Sequence, residues 1–166
     1  KATIDGFVEA MPGGFEKLNA TITEAIQKAA AVSAAQFSDW IIDLPEKGLT
    51  AHDAAVVAEI LKSNTSVMKV ELNFNKEIGD EGAKALAEAL KVNTTVKRLD
   101  LRSCGVGDDG AAALAEALRS NTSLTKLVLH INGIGEQGKQ LLRDAVAGRQ
   151  GFVLTLDEDE EEDEDY

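Results

Sequence analysis

Two hydrophobic rhythms alternate along most of the chain. At Val70-Glu71-Leu72 apolar and polar residues exchange every position, which predicts a short strand with one buried face. A dozen residues later Ala83, Leu86, Ala87 and Leu90 recur at helical spacing, which predicts a helix with one apolar side. The same pair of patterns returns twice downstream. Equivalent strands joined by helices must run parallel, with the helices covering one face of the sheet. Phe152-Val153-Leu154-Thr155-Leu156 reads as a fifth strand that ends the sheet. Ahead of all this, Met11-Pro12-Gly13-Gly14 signals a turn, and Phe15, Leu18, Ile22, Ile26, Ala29 and Val32 follow helical spacing.

The recurrence is a true internal repeat. Residues 81–96, EGAKALAEALKVNTTV, and residues 109–124, DGAAALAEALRSNTSL, share 10 of 16 residues at a shift of 28. One extra residue enters around Lys76–Glu77. Each unit carries the pattern L-x-x-L-x-L-x-x-N/C-x-L, met by Val67, Val70, Leu72, Asn75 and Ile78. The next copies are Val96, Leu99, Leu101, Cys104 and Val106, then Leu124, Leu127, Leu129, Asn132 and Ile134. A divergent earlier copy begins at Asp39, with Lys47 in the Asn/Cys slot.

Over residues 37–156 this pattern resembles the leucine-rich repeat family, in its 28-residue, ribonuclease-inhibitor-like class. The resemblance implies an α/β solenoid, with a short parallel sheet on the concave side and helices on the convex side. It also implies a protein-binding role and no enzymatic activity. The expected organisation is a helical segment over 1–36, four repeats and a terminal strand over 37–156, and a disordered acidic tail over 157–166. The N-terminal helix reads either as a cap on the first repeat or as a docking element for a partner. Within the repeats, Gly82, Gly110 and Gly138 share a phase where a side chain is expected to obstruct helix-to-strand contact. Asp80 and Asp108 are candidate N-caps, and Thr50 with Asp53 forms a candidate capping box. Asn64, Asn93 and Asn121 fall where helices close, a place that suits the left-handed conformation.

Charge narrows the function classes. The net charge is −12, but nine consecutive acids, Asp157 to Asp165, account for most of it. Without them 20 acids face 17 bases, a net of −3, so no positive footprint for nucleic acid is present. The acidic run suits a basic partner. No apolar stretch approaches the ~20 residues that span a bilayer. One cysteine excludes an intrachain disulfide framework, and two histidines without paired spacing point to no metal centre; no cofactor is implied. The start at Lys1 reads as processing or trimming, and the expected location is intracellular, in the cytoplasm or an organelle interior.

Candidate chemistry is sparse. Cys104 occupies the structural Asn/Cys slot and has no base near it in sequence. Four N-x-S/T triplets occur, at Asn19, Asn64, Asn93 and Asn121. The last three keep register with the repeat and have a helix-ending role, so a structural reading outweighs glycosylation. The remaining candidate is the solvent side of the sheet. Outward positions are Ile41, Asp43 and Pro45, then Lys69, Glu71 and Asn73, then Arg98, Asp100 and Arg102, then Lys126, Val128 and His130. They predict a basic column, Lys69–Arg98–Lys126, beside an acidic one, Asp43–Glu71–Asp100. These side chains are expected to stand off the sheet, so removing Arg98 and Arg102 is expected to cost only about 0–1 kcal/mol. Phe74 and Ile131 follow the strands in loops and are expected to be exposed; Trp40 is a further candidate at the N-terminal edge.

The expected partner-binding set is therefore Lys69, Glu71, Asn73, Phe74, Arg98, Asp100, Arg102, Lys126, His130 and Ile131, and the expected ligand is another protein. Three narrower roles stay open. An accessory subunit of a large assembly is one. An acidic tail after such repeats also resembles the Ran GTPase-activating proteins, which regulate a small GTPase. The phrases ALAEALKVNTTV and EALRSNTSL resemble the pointed-end actin cappers of the tropomodulin and leiomodin type.

Overall fold

The computed structural model describes residues 40–157. The turn at Met11–Gly14, the helix from Phe15, Asn19 and the tail beyond Asp157 lie outside the described residues. Strands and helices alternate: β1 (Trp40–Asp43), α1 (Ala51–Ser63), β2 (Val67–Glu71), α2 (Gly79–Val92), β3 (Arg98–Asp100), α3 (Asp108–Ser120), β4 (Lys126–Val128), α4 (Glu136–Val146) and β5 (Val153–Thr155). The five strands form one sheet in sequence order, every pair parallel. Consecutive helices pack on one another along the convex side.

The core follows the repeat pattern. Val70, Leu72, Leu99, Leu101, Leu127 and Leu129 point from the strands and turns into the layer between sheet and helices and are buried. Ala83, Leu86, Ala87 and Leu90 of α2 meet them, as do Ala111, Leu114, Ala115 and Leu118 of α3. Small alanines let neighbouring helices approach closely, while leucines fill the space to the sheet.

The glycines at the shared phase serve a different contact from the expected one. A Cβ on Gly110 would stand 3.0 Å from Ala83 Cβ on the preceding helix and 2.7 Å from Asp80 Oδ1. A Cβ on Gly138 would stand 3.2 Å from Ala111 Cβ and 2.5 Å from Asp108 Oδ1. The close approach is therefore mainly helix to helix across repeats, with the residue before each N-cap, Val106 or Ile134, also in the way.

Asp80 and Asp108 are also reassigned. Asp80 lies inside α2, whose N-cap is Ile78, and it caps the next helix instead of its own. Its Oδ1 accepts the backbone N–H of Gly107 at 2.6 Å and of Gly110 at 2.9 Å, the N-cap and third residue of α3. Asp108 accepts from Gly135 N at 2.8 Å, at the start of α4. A carboxylate one repeat upstream thus satisfies donors that a helix leaves orphaned at its N-terminus. Thr50 and Asp53 do form the expected capping box on α1, with reciprocal bonds to each other's backbone. Asp80→Ala should cost about 0.5–2 kcal/mol, the range for a lost N-cap, and Asp108→Ala less, because it accepts fewer bonds. Paired chemical denaturation curves would show the order.

Asn64, Asn93 and Asn121 do cap the helices, but in extended backbone at φ −80, −74 and −77, not left-handed. The chain must leave each helix straight into the next strand, so an extended residue is required. Their side chains replace the missing turn. Asn121 Nδ2 donates to Leu90 O at 2.7 Å and Asn93 O at 3.1 Å, while its Oδ1 accepts from Ser123 N and Leu124 N. Asn93 repeats this one unit earlier with Leu61 O, Asn64 O, Thr95 N and Val96 N. Asn93 and Asn121 are both 4% exposed, which supports the structural role over glycosylation.

A second ladder closes the other end of the strands. Asn75 Oδ1 accepts from Lys47 N and Leu49 N, and Nδ2 donates to Leu44 O and Leu72 O. Asn132 makes the equivalent four bonds to Cys104 N, Val106 N, Leu101 O and Leu129 O. Between them the Cys104 thiol donates to Leu72 O at 3.1 Å.

Candidate functional site on the concave face

Strand register builds the face. Ile41 pairs with Lys69, Lys69 with Arg98, Arg98 with Lys126 and Lys126 with Val153. Asp43, Glu71, Asp100, Val128 and Thr155 form the adjacent column. Both expected charge columns are therefore real. Past the strands, Phe74 N donates to Arg102 O and Ser103 N to His130 O, which brings Asn73, Arg102 and His130 together as a third column.

Two of the three acids in the acidic column, Glu71 and Asp100, are neutralised from within the face, and Asp43 is exposed. Arg98 Nε lies 3.1 Å from Glu71 Oε1, on the diagonal between columns. Arg98 Nη2 and Arg102 Nη2 reach Asp100 Oδ2 at 3.4 and 3.3 Å, and Asp100 Oδ1 accepts Arg102 N–H at 3.0 Å. These contacts contradict the expectation that all charged side chains stand off the sheet. The Asp100 side chain is fully buried, and the two arginines that close over it keep only 21% and 24% of theirs exposed. His130 is 3% exposed and Asn73 9%, so neither projects into solvent as expected. The physical reason for Asp100 is side-chain length: it lies between two arginines on the same face of its strand, and their long side chains fold over the short carboxylate.

Other expected residues do stand free. Phe74 is 41% and Ile131 50% exposed, at the same turn position in the second and fourth repeats. Arg102 lies over the Phe74 ring, its Cζ 5.5 Å from the centroid, a cation–π contact. Ile41 and Val153, which end the basic column, are also exposed. Lys69 and Lys126 are half-buried along their stems, and no described carboxylate lies within ion-pair distance of either. The Trp40 side chain lies outside the described ones.

Backbone conformation marks the same turns. Glu46, Phe74, Ser103 and Ile131 all take positive φ, between 53° and 63°. That region favours glycine, asparagine and aspartate, and a β-branched residue there is an outlier. The repeat pattern alone held no signal for this strain.

The remaining candidates lead away from chemistry. Cys104 is buried, and burial pushes its thiol up to about 11, so it stays protonated at neutral pH. Among the described residues no group of three or more His, Cys, Asp or Glu could hold a metal, and no helix is long and apolar enough to cross a membrane. Asp157, expected to begin the free tail, instead pairs with Lys139 and Arg143 of α4. The Lys139 ammonium, with Arg143 adding to it, holds the Asp157 carboxyl below its ordinary value. The cross-repeat capping by Asp80 and Asp108 was the main structural role missed. Its signal is visible in hindsight as G-D-x-G at residues 79–82 and 107–110.

Comparison with known proteins places the fold. The family model described as "Leucine Rich repeat" matches residues 63–87 and 92–115. Curated proteins return no match. Among solved structures, leiomodin-1 actin-binding site 2 aligns with a TM-score of 0.65 at 20% identity, over 89% of this chain and 80% of that one. Repeat pattern, parallel sheet and the matched family model agree on the fold: residues 40–157 form a leucine-rich-repeat solenoid.

Proposed function

We propose that the repeats form a protein-interaction module that engages its partner through the concave face and the turns after β2 and β4. The observation that carries this reading is the pair Phe74 and Ile131. Each is apolar, exposed and held at positive φ, 63° and 56°. Strained backbone costs on the order of 1–3 kcal/mol and clusters at functional sites. Each side chain is only partly covered within the described structure, Phe74 by Arg102, whereas contact with a partner would bury the rest of both.

The test is the double substitution Phe74→Ser/Ile131→Ser. Both side chains are exposed, so the melting curve should barely move. Cross-linking and affinity purification with the unaltered chain identifies its partner, and the double variant should recover that partner at least tenfold less well. Equal recovery with an unchanged melting curve would remove the concave face from consideration.

Actin is a second reading. The chain shares its fold with the actin-binding site of leiomodin-1, and the fold alone, not the partner, is carried by that likeness. Co-sedimentation with filamentous actin decides it directly.

A further inference from the structure

The pattern of free and satisfied charges on the concave face points to the chemistry of the partner. We infer that the face takes an acidic amphipathic helix laid across the strands, an inference that rests on the interaction reading above. Glu71 and Asp100 are consumed by Arg98 and Arg102, which leaves Lys69 and Lys126 as cations without a described carboxylate beside them. Exposed Asp43 is the one acid of these columns without an ion pair among the described contacts. Two lysines against one carboxylate leave the strip locally positive in a chain of net charge −12, and it draws an acidic segment toward its Lys126 end.

Spacing selects a helix. Lys69 and Lys126 share a column two strands apart, about 10 Å. Phe74 and Ile131 repeat that two-strand offset in the turns. They lie five residues beyond the lysines, at most about 16 Å along the strand direction. Residues i and i+7 of a helix are about 10.5 Å apart, which matches both pairs. A helix about 10–12 Å wide reaches the lysines with one flank and Phe74 and Ile131 with the other. Exposed Ile41 and Val153 cap the ends of the lysine column, so a longer helix meets apolar residues at each end. Anchors at i and i+7 in a groove are an established mode of helix recognition.

The experiment uses the full chain and a fluorescent 18-residue helical peptide. The peptide carries two Glu seven apart on one flank and two Leu seven apart on the other. Fluorescence anisotropy should show binding that weakens at least tenfold in Lys69→Glu/Lys126→Glu and in Phe74→Ser/Ile131→Ser. A peptide with Lys in place of Glu should prefer the lysine-reversed variant by at least tenfold. No binding of the acidic peptide, or equal affinity for all variants, overturns the inference. Tighter binding by tenfold after deletion of residues 158–166 overturns it too, because the chain's own acidic tail would then be the occupant. If the partner depends on Phe74 and Ile131 while the peptide fails, the interaction reading stands and the acidic helix falls. If the partner ignores both residues, both fall.

Discussion

Arg98→Ala/Arg102→Ala will destabilise the fold by about 3–5 kcal/mol, the cost of stripping the partners from a buried charge. The outward position of both residues suggests a near-neutral change, since exposed ion pairs contribute about 0–1 kcal/mol. The structure reverses that expectation. Asp100 is fully buried beneath the two guanidinium groups, with Nη2 atoms at 3.4 and 3.3 Å from one carboxylate oxygen. Without them the carboxylate keeps only the Arg102 backbone N–H among its described contacts, and that bond alone does not offset desolvation. Urea denaturation of the double variant beside Asp100→Asn/Arg98→Ala/Arg102→Ala separates the causes. If the buried charge is responsible, the neutral amide will restore part of the loss. A double variant within 1 kcal/mol of the unaltered protein would mean that water reaches Asp100 freely.

Asn75→Ala will cost roughly 2–6 kcal/mol, because two buried backbone groups lose their partner at about 1–3 kcal/mol each. Those groups are the N–H of Leu49 and the carbonyl of Leu44, bound at 3.0 and 2.9 Å. Lys47 N and Leu72 O lose a bond as well, at 2.9 and 2.7 Å, but Lys47 is exposed to water and Leu72 O keeps the Cys104 thiol. Cys104 holds the equivalent slot in the third repeat with one thiol donor, so Asn75→Cys should fall between the two. Denaturant midpoints of the three proteins check the order. An alanine variant within 1 kcal/mol of the original would show that the ladder is not a structural support.

Much of this was legible in the chain itself. Alternation at Val70-Glu71-Leu72 and the helical spacing of Ala83, Leu86, Ala87 and Leu90 dictate which faces are buried, because side-chain direction follows from local backbone geometry. A 28-residue period then forces parallel strands in sequence order, and the register of Lys69 against Arg98 and Lys126 follows. The capping box at Thr50 and Asp53 was equally readable, since its partners are three residues apart.

Tertiary structure alone decided contacts between residues about 28 positions apart. Asp80 sits at a position that suits capping its own helix, yet it caps the next, because stacking of repeats brings Gly107 and Gly110 nearer than local geometry does. Asn93 and Asn121 took extended backbone, since the following strand and the preceding repeat both claim their side chains. Outward-facing Asp100 became buried because Arg98, held by Glu71 of the preceding repeat, and Arg102 fold over it. Periodicity specifies the face a side chain occupies. Its cover depends on which long neighbours lie within reach and on what holds them there, and the second is a property of the stacked array.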